Sequence, residues 1–294
     1  MPHAHHAPLE SLLISAALIL AALVYVRGWL RTRKVDLDAI GGRHATRFLV
    51  GLSLIWIALA SPLATLDHTM LTVHMVQHLL LMTLAPPLIW LGAPVKVLLQ
   101  GLPQRFVQII SSCLTSAHVQ RLGKAIAYPV VCWLAAAGTL VIWHIPPVFM
   151  LGLQSGMWHG IEQASFFVTG LLFWWPVVQP PSTTSSSSEW SILLYLFLAT
   201  FPCDVLSGFL VFCDRVVYPV YFSSPQRLGF SALEDQQCAG ALMWTCVTII
   251  YLIAGTIFAA RLLSPQDSLS HRLVTLDSRM RTAPQTTRQT VEGV

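Results

Sequence analysis

Charge is what this sequence has least of. Only 10% of its 294 residues are Asp, Glu, Lys or Arg, while 55% are hydrophobic; an ordinary soluble domain carries about 25% charged residues, so a water-soluble globule is excluded. Several fingerprints are missing as well. There is no CxxC, which argues against a thioredoxin-like redox site, and no GxGxxG, P-loop or HExxH, which removes the standard signals for dinucleotides, nucleoside triphosphates and zinc proteolysis. No nucleophile with a positioned base is recognisable, so an enzyme is not expected. The opening MPHAHHAPLE lacks both a basic n-region and a small-residue cleavage site, and the apolar run behind it is therefore expected to stay as a helix.

What the chain does have is apolar runs long enough for helices to cross a hydrocarbon core of about 30 Å. They lie near residues 9–26, 46–61, 69–91, 127–144, 157–178, 190–212 and 237–260. The expected fold is all-α: a polytopic membrane protein whose seven-helix transmembrane bundle, residues 9–263, follows a short outer tail, 1–8, that carries His3, His5 and His6 and precedes a disordered cytoplasmic tail, 264–294. Basic residues set the orientation. With the N-terminus outside and the C-terminus cytoplasmic, every Lys and Arg except Arg215 and Arg227 falls inside. The net charge of +4 is thus a topology signal; no nucleic-acid partner is implied, and membrane lipid is. Between Pro103 and Lys124 the apolar spacing suggests an interfacial helix, and PPSTTSSSSEW after the fifth span reads as a flexible linker.

Polar groups inside such runs are costly and mark function. The third run contains HMVQHLLLMTLAPP. His74 and His78 are four apart and share a helix face, with Met70 one turn earlier, and Pro86-Pro87 is expected to end or kink that helix. His144 closes the fourth span ahead of Pro146-Pro147, and His159 opens the fifth with Glu162 and Gln163 on its face. Eight of the 11 His fall on or towards the outer side. Imidazole and thioether suit copper; the candidate site is a copper ion held by His74 and His78, completed by His144 or His159, with Glu162 accepting a ligand's free N–H and Met70 or Met157 adding a soft donor. A hydrogen-bonded polar cluster without metal fits the same spacings. Asp204, beside Pro202 and Cys203 at an expected break in the sixth span, is read as a structural carboxylate in search of a partner such as Arg215. Glu234 and Asp235 suit the N-terminus of the seventh helix, and an oxidising exterior permits a Cys213–Cys238 disulfide.

Three ordered blocks, HMVQHLLLMTLAPPLIWLGAP, WHIPPVFMLGLQSGMWHGIEQASFFVTGLLFWWPVV and LEDQQCAGALMW, resemble the multi-pass CtaG family of cytochrome c oxidase assembly factors associated with caa3-type oxidases. They span roughly residues 61–260 and include His74, His78, His144 and His159. The resemblance implies a factor in a bacterial inner membrane needed to make an active haem–copper oxidase, with copper delivery as one route and with oxidase subunits and periplasmic copper chaperones as partners. A metal-free scaffold for oxidase assembly and a haem-binding electron carrier are the competing functions.

The orientation is testable. In a Cys213→Ser/Cys238→Ser background, a cysteine introduced at Ser185 is expected to resist an impermeant maleimide in intact cells and to react once the cells are opened. Labelling from outside would reverse the bundle.

Overall fold

In a bilayer the backbone has no water to bond, so apolar segments satisfy their own N–H and C=O groups as helices. The computed structural model describes residues 7–35, 41–179, 186–223, 229 and 231–263, and the regular elements among them are helical throughout. His3, His5, His6 and the tail from residue 264 lie outside the described residues, as does the linker up to residue 185.

The chain runs through α1 (Ala7–Val35), α2 (Gly42–Ala60), α3 (Leu71–Leu79), a π-helical turn (Leu80–Leu84), α4 (Ala85–Leu91), α5 (Pro94–Gly101), α6 (Gln104–Thr115), α7 (Ala117–Ile126), α8 (Pro129–His144), α9 (Pro146–Gln154), α10 (Gly156–Val178), α11 (Ser186–Phe212) and α12 (Ala232–Leu262). Among the described residues, six helical segments are long and apolar enough to cross a membrane. The expected span at 127–144 differs. Its helix α8 has only 16 residues, about 24 Å at 1.5 Å per residue, and it becomes a seventh span only if joined to α7 across a 63° bend. The segment expected to lie at the interface is two helices, α6 and α7, neither of which buries a residue.

Burial puts the third span at the centre: 56% of its apolar window is buried, against 6% for α1. On one side α3 joins a core with α8 to α12, including Phe149, Phe173, Trp174 and Tyr251. On the other, the stretch from the π turn to α4 shares a second core with α1, α2 and α10 through Tyr25, Phe48, Ile55 and Phe166. Close approach of α1 to α5 requires glycine on both, because a Cβ on Gly28 would strike the Val97 carbonyl and one on Gly101 the Val24 carbonyl.

Pro86-Pro87 do not end the third helix. They sit in the first turn of α4, and the π turn before them absorbs the missing donors. Pro86 has no N–H for the Met82 carbonyl four residues back; the indole Nε1 of Trp174 donates to it instead, at 3.2 Å. Gly170 packs against the backbone of Met82, where a Cβ would lie 2.7 Å from that carbonyl oxygen. This contact clamps the third span to α10.

Other expectations need correction. α11 starts at Ser186 and so takes in the end of the proposed linker, and it runs through Pro202 without a break. Cys213 and Cys238 are both free thiols. Glu234 does cap the start of its own helix, accepting from Ser231 N at 2.7 Å and Ser231 Oγ at 2.8 Å while its own N–H donates to Ser231 Oγ at 3.2 Å, in a reciprocal N-terminal box. Asp235 serves a different helix. Its carboxylate accepts from Leu71 N at 2.6 Å, Thr72 N at 3.1 Å and Thr72 Oγ1 at 2.6 Å, and so caps α3 from α12, across 164 residues of chain.

Loss of a helix cap costs about 0.5–2 kcal/mol. Asp235→Ala is expected to fall at the upper end, since it leaves buried N–H groups unpaired, and to lower the thermal midpoint of the detergent-solubilised protein more than Glu234→Ala does.

Candidate metal centre

The cap from Asp235 fixes where α3 begins, and the clamp at Met82 fixes its far end; His74 and His78 then face α10 at a set depth. Both are buried, at 0% and 5% exposure. Opposite them stands Glu162, also fully buried. Its Oε1 lies 3.4 Å from His74 Nε2 and 3.5 Å from His78 Nε2. The two imidazoles meet edge to face with centroids 4.3 Å apart, His78 stacks on Phe166 at 3.9 Å, and Phe149 meets His74 edge-on at 5.0 Å. Room for the carboxylate comes from Gly152 on α9, where a Cβ would lie 2.7 Å from Glu162 Oε2.

Apart from these ion-pair contacts, neither ring nitrogen of His74 or His78, nor Glu162 Oε1, has a well-formed hydrogen bond among the described residues. Buried polar atoms are seldom left so. A tetrahedral ion with bonds of about 2.1 Å holds its ligand atoms about 3.4 Å apart, which is the spacing observed between Glu162 Oε1 and each imidazole. His74, His78 and Glu162 together offer three donor atoms within 4.8 Å of one another. Glu162, expected behind a ligand, is therefore placed among the donors.

A second group shares His74. Asp67, 1% exposed in the short loop before α3, accepts from His159 Nε2 at 2.9 Å, and Asp67, His74 and His159 also offer donors within 4.8 Å of one another. The other nitrogen of His159 faces Glu162 Oε2 at 3.3 Å. With both nitrogens turned to carboxylates, His159 is better placed to hold the two acids than to ligate. Burial works to raise the Asp67 carboxyl, but the bond from His159 and the neighbouring His68 hold it below the ordinary carboxylate range. Burial pushes the His68 imidazole down. Asp67 was not singled out by sequence, where it is one acid in an outer loop; only the adjacent His68 hinted at it.

The remaining candidates are scattered. His144 is buried beside the group and outside it: its Nδ1 donates to the Leu140 carbonyl at 2.7 Å, and its Nε2 faces Met75 Sδ at 3.4 Å. Met70 is the residue before α3, in extended backbone with φ −141° and ψ 125°, and it is not among the residues of either donor group. Met157 is 67% exposed. Asp204 lies apart on α11, along a groove of about 430 Å³ shared with Trp244 and Tyr251; its buried Oδ1 has no hydrogen-bond partner, and among the described residues no ion pair joins it to Arg215. On the loop side an open cavity of about 770 Å³ is lined by His68, Met157, His159 and Gln163, so that of the two donor groups His159 faces it.

The Asp67–His159 contact carries a pH signature. A carboxyl whose folded value is depressed contributes stability above its ordinary value and loses that contribution as pH falls through the folded one. The stability gap between the wild type and Asp67→Asn, followed by thermal unfolding in detergent, is expected to be constant from about pH 5 to 6 and to narrow below about pH 4.

The family model for the cytochrome c oxidase caa3 assembly factor (Caa3_CtaG) matches residues 23–264, a range that contains every residue of both donor groups. No curated protein and no solved structure matches the chain. With the matched range covering most of its length and its buried donors held between membrane helices, the chain belongs to the Caa3_CtaG family and is a membrane-embedded cytochrome c oxidase assembly factor.

Proposed function

We propose that this assembly factor carries copper as cargo for the oxidase, held in the outer half of the bundle by His74, His78 and Glu162. The observation behind this reading is the set of buried donor atoms that lack a well-formed hydrogen bond among the described residues yet stand at ligand-to-ligand spacing, Glu162 Oε1 lying 3.4 and 3.5 Å from the two imidazoles. A site of two imidazoles and one carboxylate binds divalent first-row metals in an order that peaks at Cu(II), and copper is the ion that a haem–copper oxidase needs from such a factor. His159, itself held by Asp67, keeps the carboxylate in place and lines the outer cavity. Periplasmic copper chaperones would load the site through that cavity, with oxidase subunits receiving the ion in a bacterial inner membrane, the N-terminus outside.

One contact favours a second reading. His159, bridging Asp67 and Glu162, satisfies part of the cluster by hydrogen bonding alone, as a metal-free scaffold would. Haem has less support: the cavity between His78 and His144 measures about 50 Å³, against about 300 Å³ or more for ordinary ligand pockets.

Copper per chain and oxidase activity in the host separate these readings. Single replacements His74→Ala, His78→Ala and Glu162→Gln are expected to weaken copper binding by about 100-fold or more, beyond the 10–100-fold typical of outer-shell partners, and to lower oxidase activity with it. Variants that remain folded in the membrane and keep both would leave the scaffold reading in place.

A further inference from the structure

No sulfur atom takes part in the group just described, and four sulfur-bearing side chains gather on its other side. His144, Met75, Met82, Cys203 and Met243 line the cavity of about 50 Å³, and His78 forms part of its wall. Met75, Cys203 and Met243 are 1%, 4% and 3% exposed.

The tautomer of His144 can be worked out. Its Nδ1 is 2.7 Å from the Leu140 carbonyl oxygen, so a proton must lie on Nδ1; otherwise two lone pairs would face each other at that distance. In the neutral ring Nε2 is then bare. It faces Met75 Sδ at 3.4 Å, and a thioether has no proton to donate. Two buried lone-pair donors thus point at each other with no hydrogen between them. That is unfavourable unless a cation lies against both. Metal–nitrogen and metal–sulfur bonds of about 2.05 and 2.3 Å in a tetrahedral site put the two atoms about 3.5 Å apart, close to what is seen. Tyr218 Oη donates to the His144 carbonyl at 2.9 Å and steadies the end of α8.

We propose that Met75 and His144 form a second metal site, selective for a soft monovalent ion such as Cu(I), within this cavity. Thioether, thiol and imidazole donors prefer Cu(I) over hard divalent ions, and the walls supply more of the same: Met82, Met243 and the thiol of Cys203, whose contacts with Ser207 Oγ and the Met243 carbonyl are long, at 3.7 and 4.0 Å. His78 separates the two sites, with Nε2 towards Glu162 and its ring 6.2 Å from that of His144. The site does not depend on the copper reading of the His74–His78–Glu162 group. The two differ in donor chemistry, nitrogen and oxygen in one and nitrogen and sulfur in the other.

The test uses the purified full-length protein in detergent with Ag(I), a redox-inert stand-in for Cu(I). Affinity is read by chelator competition and ligands by X-ray absorption. Wild type is expected to bind one Ag(I) with both sulfur and nitrogen neighbours. The volume-conserving Met75→Leu should weaken binding by at least about tenfold, the lower bound for losing even an outer-shell partner, and should remove a sulfur neighbour; His144→Gln should weaken it similarly, so that the result does not rest on one variant. Glu162→Gln distinguishes the two sites: Ag(I) binding lost there and retained in Met75→Leu assigns the ion to the carboxylate group and overturns the proposal. Absence of Ag(I) binding, or binding without sulfur neighbours, overturns it too and leaves the cavity to water.

Discussion

A carboxylate with no exposure to solvent, inside a helix that crosses the membrane, is the constraint on which the rest of this structure depends. Glu162 cannot be left alone there, because an isolated charge in a low-dielectric interior is among the most costly things a fold can contain. The chain surrounds it with groups that can carry positive charge or hold a cation. Two imidazoles come from α3, one from α10 itself, and Gly152 of α9 gives up a side chain to make room. The devices that hold α3 serve the same end. Asp235 anchors its start, Gln77 donates to the Ala58 carbonyl at 3.1 Å midway, and Trp174 takes up the carbonyl that Pro86 leaves free. None of these bonds touches the donor atoms, yet each sets the height or rotation at which the donors meet Glu162.

Helical spacing made part of this legible. The i, i+4 relation of His74 and His78, and the i, i+3 relation of His159 and Glu162, depend only on local geometry and hold in the structure. So do the positions of most spans, which follow from apolar length. What spacing cannot give is the partner across a gap. Asp235 has the composition of a self-capping N-terminus, yet only the packing of α12 on α3 decides that Leu71 and Thr72 receive it. Asp67 and Met75 were passed over for the same reason: an acid in a loop and a methionine in an apolar helix look ordinary until the fold sets His159 and His144 beside them. Proline does not stop a helix at Pro86 or at Pro202, because the helix can go on when a wide turn or a side chain takes up the freed groups.

The polar interior is divided by chemistry as well as by depth. On the α10 side the donors are imidazole and carboxylate; on the α11–α12 side they are imidazole and sulfur, with His78 in the wall between. Hard and soft donors favour different ions and different oxidation states of one ion. Keeping them on opposite faces of α3 costs the fold little, because a helix presents a new face every residue or two. His74 and Met75 are neighbours in sequence and belong to different environments.

The connection between α11 and α12 reaches back over both. Tyr218 donates to the carbonyl of His144 and Tyr221 to that of Asp67, at 2.9 and 3.0 Å, while Gln236 ties the same connection down by accepting from Val217 N at 2.7 Å. Two phenols one turn apart therefore grip the backbone of two residues from unrelated parts of the chain. The segment works as a handle: a protein docking on this surface and shifting it would tug on Asp67 and His144 together, without ever reaching the buried atoms it disturbs.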